Sequence, residues 1–243
     1  MVMRLFVRTS FALVAVALVA VCSGTRTQAQ STASPTAGNG TYIATDPLAL
    51  VRYDNRYDVS LTAAYDHMKA GPTAHEGANL GGLDLDASYW FSKHWAVEGS
   101  GRSYFGTSGV ATVNSSNTSV SGPFISEYFF TGGPEWLGPH NRHGALIAHV
   151  LVGGVYGNFQ QDLRSYSAAD VGFYNNQFAP AAIIGGHIDL NRSARWVFRI
   201  TPDAVVTRYS TDYKPSTYLS AGRFTDVNFA ISVGVEYKFK KKR

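Results

Sequence analysis

Residues 224–239 read FTDVNFAISVGVEYKF, and the prediction of the fold begins from this segment. Side chains alternate between the two faces of a β-strand, so every second residue points the same way. One face is apolar and ends in aromatic residues: Phe229, Ile231, Val233, Val235, Tyr237 and Phe239. The other face is polar or small: Asn228, Ala230, Ser232, Gly234, Glu236 and Lys238. A long apolar face with an aromatic end is typical of a strand that faces lipid in a β-barrel.

The same period of two recurs upstream and predicts about eight strands in all. The predicted strands are 57–66, 83–91, 95–105, 123–135, 145–156, 179–190, 196–209 and 224–239. The segments between them alternate in length, and the longest predicted loops are 106–122 and 157–178. Outer-membrane barrels have short turns at one end and longer loops at the other. The sequence therefore predicts an all-β fold, a closed antiparallel up-and-down transmembrane barrel of about eight strands.

Composition supports this fold class and argues against nucleic-acid binding. Charged residues make up 16% of the 243-residue chain, against roughly 25% in soluble domains. The chain has 14 Tyr, 14 Phe and 24 Gly, which suits strands, aromatic girdles and tight turns. The formal net charge is only +4, and no basic stripe with interleaved aromatic residues occurs.

The N-terminus has the layout of a secretory signal peptide. Two arginines precede an apolar run over 11–21, and a small, polar stretch follows. We predict four segments: a signal peptide (1–29), a flexible periplasmic lead-in (30–55), the barrel (56–239) and a basic tail (240–243). The lead-in beyond residue 40 has two interpretations, a disordered segment or a short piece packed against the barrel mouth. The predicted location is the cell outer membrane, after export through the secretory pathway.

Polar and charged residues fall on the predicted inner face. An eight-stranded barrel has an interior just wide enough for its own side chains to fill, and charges there must be paired or hydrogen-bonded. We predict a polar lumen network of Glu98, Arg102, Glu127, His149, His187, Asp189, Arg199, Asp203 and Glu236. Two interpretations remain open: a plug of salt bridges and hydrogen bonds, or a gated narrow pore.

The chain resembles the small outer-membrane β-barrel family and is similar to the OmpA barrel domain and OmpX. The features that carry this resemblance are the predicted leader, the alternating loop lengths and the inward Glu and Arg residues. The C-terminal spacing of Ser232, Gly234, Tyr237 and Phe239 resembles the signal that the barrel-assembly machinery recognises. The resemblance covers roughly 58–239. It implies a fold, a membrane location and contact with outer-membrane lipids, but no particular activity, because the family is functionally mixed.

Enzyme motifs are absent from the sequence, and we predict no catalytic residue, cofactor or metal site. There is no P-loop, no GxGxxG after a strand and no HExxH. A lone inward histidine, such as His149 or His187, is more often a hydrogen-bonded structural residue.

Loops on a rigid barrel often carry binding. Tyr166, Phe173 and Tyr174 are our candidates for binding in an outer loop, with an unknown surface ligand. We therefore expect a monomer with a structural or surface-binding role. The alternatives are a narrow diffusion pore and a soluble periplasmic lipocalin-like barrel that binds a small hydrophobic ligand. The lipocalin-like alternative requires the charged residues to point outward and the Phe, Ile and Val residues to point inward.

Overall fold

The computed structural model describes residues 46–72, 77–113, 118–161, 163, 165–212 and 222–239. The predicted signal peptide, the lead-in up to residue 45 and the basic tail lie outside these residues, so these predictions stay untested.

Eight long strands close into an antiparallel barrel, which confirms the predicted fold class. The barrel strands are β1 (Tyr57–Lys69), β2 (Gly77–Trp90), β3 (Trp95–Thr107), β6 (Phe124–His140), β7 (Gly144–Gln161), β8 (Gln177–Asn191), β9 (Trp196–Thr211) and β10 (Gly222–Phe239). Each barrel strand pairs with the next barrel strand along the chain, so β3 pairs with β6. Strand β10 closes the ring on β1, with Phe239 opposite Tyr57. Closure leaves no free sheet edge.

Two predicted loops contain regular structure. The predicted loop 106–122 includes the end of β3 and a small separate sheet of β4 (Val110–Val113) and β5 (Thr118–Ser121). The predicted loop 157–178 includes the end of β7 and one helical turn, α1 (Ala168–Val171). The predicted ends of β3 and β7 were too early because backbone pairing continues beyond the last residue of the alternating apolar pattern, and the small sheet and the helical turn are elements within the loops.

The outward face of the barrel is apolar and carries aromatic residues at both ends. Exposed aromatic side chains near the short turns are Tyr57, Tyr89, Phe91, Trp95, Trp136, Trp196 and Phe239. Those towards the long loops are Phe105, Tyr128, Phe130, Tyr156, Phe178 and Phe229. Exposed Leu, Val and Ile side chains lie between the two sets, and this is the pattern of a barrel that faces lipid. We call the two ends of the barrel the short-turn end and the loop end.

The interior differs between these two ends. Most buried charged side chains lie in the half near the short turns, whereas most buried apolar side chains lie in the half near the loops. Leu151, Ile183 and Val205 are inward-facing members of the apolar half. The predicted interior was polar, and this change along the same strands was not predicted.

No α-helix among the described residues is long and apolar enough to cross a membrane.

Candidate functional site in the barrel lumen

Strand alternation places all nine predicted network residues in the interior, where each is buried. Glu98 and Arg102 come from β3, Glu127 from β6 and His149 from β7. His187 and Asp189 come from β8, Arg199 and Asp203 from β9, and Glu236 from β10. Eight of them form two separate clusters of contacting side chains, and Glu127 belongs to neither cluster.

Arg102 joins opposite walls of the barrel. Its Nη1 donates to Asp203 Oδ2 at 2.5 Å, and its Nε lies 3.2 Å from Asp84 Oδ1 on the neighbouring strand. Because β3 and β9 are diametrically opposite in the closed order of strands, the Arg102–Asp203 ion pair spans the lumen. A side chain that reaches across the interior occupies the space that a pore would need.

Arg199 organises a second cluster nearer the short turns. Its Nε and Nη2 donate to the two carboxylate oxygens of Asp189 at 2.8 and 3.1 Å. Its Nη2 also lies 3.0 Å from Glu236 Oε2. The two-pronged contact with Asp189 holds the guanidinium in one orientation. The side chains of this cluster occupy the lumen between the Arg102 ion pair and the short-turn end.

Two histidines and one glutamate meet in the middle of the lumen. Glu98 Oε2 lies 2.9 Å from His149 Nδ1 and 3.4 Å from His187 Nε2. The two ring nitrogens are 3.2 Å apart. His149 Nε2 contacts Asp203 Oδ1 at 2.9 Å, and His187 Nδ1 contacts Thr201 Oγ1 at 2.8 Å. Each ring therefore has one nitrogen held by the barrel wall and the other directed at Glu98.

Glu127 belongs to the loop half of the barrel. It accepts a hydrogen bond of 2.6 Å from the hydroxyl of Tyr209. The Tyr209 ring packs against Phe159 and Tyr174, with ring centroids 5.0 and 5.3 Å apart. Glu127 therefore contacts an aromatic cluster and not the charged clusters.

Two of the three predicted loop-binding residues are buried. Phe173 and Tyr174 pack into the apolar half of the lumen, and only Tyr166 is partly exposed. The prediction that Phe173 and Tyr174 present a binding surface was therefore wrong, because their rings are large and apolar enough to gain more by burial. The structure leaves Tyr166 as a candidate.

The buried loop residues form a plug at the loop end. We call Leu163, Ala168, Val171, Phe173 and Tyr174 the loop plug; all five belong to the apolar cluster inside the barrel. Tyr174 donates its hydroxyl to Asp226 and its backbone N–H to Ala70 at 2.9 Å. Burial and the Asp226 carboxylate raise the pKa of the Tyr174 phenol above its usual range.

Sequence signals for the loop plug were present but were not recognised. Ser167 and Asp170 have the spacing of a helix N-cap, and Ser167 donates from its N–H and its hydroxyl to Asp170. These two hydrogen bonds lower the pKa of Asp170. Gly172 follows the helix with a φ of 75°, a left-handed conformation that favours glycine at a helix end.

The described part of the lead-in, residues 46–55, packs against the barrel mouth at the short-turn end, as in the second of its two interpretations. The Tyr53 hydroxyl donates to the Asn141 carbonyl at 3.0 Å and accepts from Asn191 Nδ2 at 2.7 Å. The Lys238 ammonium lies 4.6 Å from the centre of the Tyr53 ring. Partial burial raises the pKa of Tyr53. Tyr53 therefore covers the Arg199 cluster from the end of the barrel.

Comparison with solved structures identifies the architecture. OprG, an outer membrane protein of Pseudomonas aeruginosa, superposes with a TM-score of 0.50 at 13% identity, covering 77% of this chain and 97% of OprG. The chain has the fold of the small outer-membrane β-barrels. This barrel is also similar to Ail, the attachment invasion locus protein of Yersinia pestis, with a TM-score of 0.40, 16% identity and coverage of 75% and 97%. For AlkL, an outer membrane protein, the TM-score is 0.39 at 16% identity, with coverage of 85% and 99%.

No protein-family model matches the sequence of this barrel, and no curated protein sequence does so either. At identities this low, the similarity establishes the fold alone.

Proposed function

We propose that the protein is a monomeric outer-membrane barrel with a closed lumen, and that its role is structural or surface-binding, without catalysis. The Arg102–Asp203 ion pair across the full width of the lumen carries this proposal. Breaking a buried ion pair leaves a charge without compensation, so the closed state does not open at small cost. This favours a plug over a narrow pore.

The outward face supports a membrane location. On β6, Tyr128 and Trp136 belong to the two aromatic sets and are eight residues apart. At about 3.3 Å per residue and a tilt of ~40°, this step spans roughly 20 Å along the barrel axis. Outer-membrane barrels carry an apolar band about 25 Å tall between their girdles. The lipocalin-like alternative is disfavoured, because the charged residues point inward and the apolar residues outward.

Export and assembly complete the proposal. The signal peptide would deliver the chain to the periplasm, and the short-turn end would face that compartment. In the barrel, Tyr237 and Phe239 project outward at the short-turn end, while the Ser232 side chain is buried and Gly234 approaches β1. An outward aromatic pair at the end of the last strand is available for contact with the assembly machinery and then with lipid.

Membrane fractionation and electrophoresis test the location and the fold together. We expect the protein in the outer-membrane fraction, with a different gel mobility before and after boiling. A product that is soluble in the periplasm without detergent would refute the membrane proposal.

Planar-bilayer recording tests the closed lumen. The folded wild-type protein should show no steady conductance, and a 16-stranded porin with an aqueous channel, reconstituted in parallel, serves as the positive control. A reproducible unitary conductance from wild-type protein would refute the plug and establish the pore alternative.

A further inference from the structure

We propose that Glu98, His149 and His187 form a binding site for a divalent first-row transition metal ion, with Zn²⁺ as the reference ion. The donor atoms are Glu98 Oε2, His149 Nδ1 and His187 Nε2, which come from β3, β7 and β8. The sequence analysis predicted no metal site, because the three residues are far apart in sequence and fit no ligand-spacing motif. Only closure of the barrel brings them together.

The three donor atoms have the separations of neighbouring ligands around one ion. Their mutual distances are 2.9, 3.2 and 3.4 Å. Zinc binds histidine nitrogen at about 2.0–2.1 Å and carboxylate oxygen at about 2.0–2.2 Å. A triangle with these sides has a circumscribed radius of about 1.8 Å, so an ion just outside its plane meets all three bond lengths. The site therefore requires little rearrangement of the side chains.

The partners of the two rings direct free electron pairs to the same point. His149 Nε2 faces the Asp203 carboxylate, which accepts hydrogen bonds, so the proton of the neutral ring is on Nε2. The Thr201 hydroxyl can accept from His187 Nδ1. Both remaining ring nitrogens then face Glu98 Oε2, which is also an acceptor when the carboxyl is ionised. In these tautomers, all three donor atoms offer an electron pair to a metal ion placed between them.

The surrounding side chains match the usual support of a metal ligand. Histidines that bind metals commonly donate their second ring nitrogen to a carboxylate or another acceptor. Asp203 is such an acceptor for His149, and Arg102 in turn donates a hydrogen bond to Asp203. The ring planes of the two histidines are 87° apart and their centroids are 4.6 Å apart, so the rings can approach one ion edge-on.

The donor types select the class of metal ion. Two imidazoles and one carboxylate suit zinc, copper, nickel or iron better than magnesium or calcium, which prefer oxygen ligands. The site is a two-histidine, one-carboxylate centre.

Metal retention by refolded protein tests the site. The barrel is refolded in detergent with Zn²⁺, or with Mg²⁺ as the comparison, and free ions are removed by gel filtration before elemental analysis. Refolding in the presence of the ion is necessary because all three ligands are buried. We expect one tightly held Zn²⁺ per chain, no retained Mg²⁺ and a higher unfolding temperature with Zn²⁺.

Variants separate this site from surface histidines. H149Q, H187Q and E98Q should each weaken zinc binding at least tenfold, and T201V, which removes only the hydroxyl beside His187, should weaken it about tenfold. H94Q/H140Q/H143Q removes three exposed histidines and should retain the ion. Gel mobility before boiling identifies the variants that are folded.

Two results would overturn the proposal: wild-type protein that retains no zinc, or zinc that is lost from the surface variant but kept by H149Q and H187Q. If the lumen variants do not fold, Co²⁺ in the wild-type protein decides the question. Visible absorption bands of a nitrogen-ligated Co²⁺ that persist in the surface variant support the site, and their loss in that variant refutes it. Zinc retention and bilayer conductance are separate measurements, so this inference and the proposed closed lumen can fail independently.

Discussion

Arg102 shows how one buried charge holds the two sides of the barrel together. Its guanidinium contacts Asp84 on β2 and Asp203 on β9, and all three side chains are almost completely buried. The contrasting ion pair is Arg142 with Asp46, whose atoms are 3.5 Å apart and whose side chains are 62% and 47% exposed. Burial, and not the presence of an ion pair, decides how much each arginine contributes to the free energy of unfolding.

We expect Arg102→Gln to lower the free energy of unfolding by about 3–5 kcal/mol, because two buried carboxylates lose their counter-charge. Arg142→Gln is the matched control and should change it by less than about 1 kcal/mol. Denaturant titration of the folded protein in detergent, followed by gel mobility, measures both. Equal effects of the two variants would contradict the assignment of Arg102 to the dry interior.

Gly71 lies where the β1–β2 connection comes close to residues 172 and 173 beside the loop plug. A Cβ at Gly71 would lie 1.9 Å from the carbonyl oxygen of Gly172, whereas a Cβ at Gly81 would meet nothing within 4 Å. We expect Gly71→Ala to destabilise the loop plug by about 1–3 kcal/mol and Gly81→Ala to have little effect. Faster proteolysis within residues 165–176 in the first variant only is the measurement.

The two faces of strand β7 have different surroundings, lipid on one side and the lumen on the other. Val150 points outward near the middle of the apolar band, next to His149, which points into the lumen. A charge on the lipid face costs about 2–4 kcal/mol at the membrane midplane and less near the interfaces. Val150→Arg should therefore lower stability in lipid vesicles by about that amount. Ala194→Arg, at a partly exposed position in a short turn, is the control, and a similar loss in both variants would argue against a lipid-facing surface.

The connection between β7 and β8 contributes to stability because it carries the buried residues of the loop plug. Tyr174 keeps its proton to higher pH in the folded protein, because burial and the Asp226 carboxylate disfavour the phenolate. Its contribution to stability is complete below about pH 10, the pKa of an unperturbed tyrosine. Above that pH the unfolded chain loses its proton first, so the contribution declines as the pH rises.

We expect wild-type protein to lose stability between about pH 10 and 11 more steeply than Tyr174→Phe does. Tyr166→Phe removes a partly exposed hydroxyl in the same loop and should behave like the wild type. The measurement is the denaturant midpoint at a series of pH values. Parallel curves for all three proteins would show that Tyr174 does not carry this dependence.

For the whole molecule, the proposed closed lumen rests on both halves of the interior. The charged clusters fill the half near the short turns, and the aromatic cluster with the loop plug fills the other half. Replacing residues 162–176 with a short Gly-Ser turn should leave a folded barrel without conductance. Combining that replacement with Arg102→Ala and Asp203→Ala should produce a measurable conductance in planar bilayers. Conductance from the loop replacement alone would show that the charged half does not close the lumen.

The strands, the direction of their side chains and the closure of the ring could all be predicted from the amino-acid sequence. They follow from a period of two, which is a local property of each strand, and from the need of lipid-facing strands to satisfy their backbone groups. The outward positions of Phe198 and Ile200 and the inward positions of Arg199 and Asp203 were predictable in this way.

Which inward side chains meet could be known only from the folded barrel. Arg102 contacts Asp203 on the opposite wall, and Glu98 contacts His149 and His187, because shear and strand number set the heights of residues that are distant in sequence. The burial of Phe173 and Tyr174 likewise depends on the space left at the loop end. The polar composition of the loop concealed this burial, because two large aromatic residues gain enough from it to lie inside while their polar neighbours stay exposed.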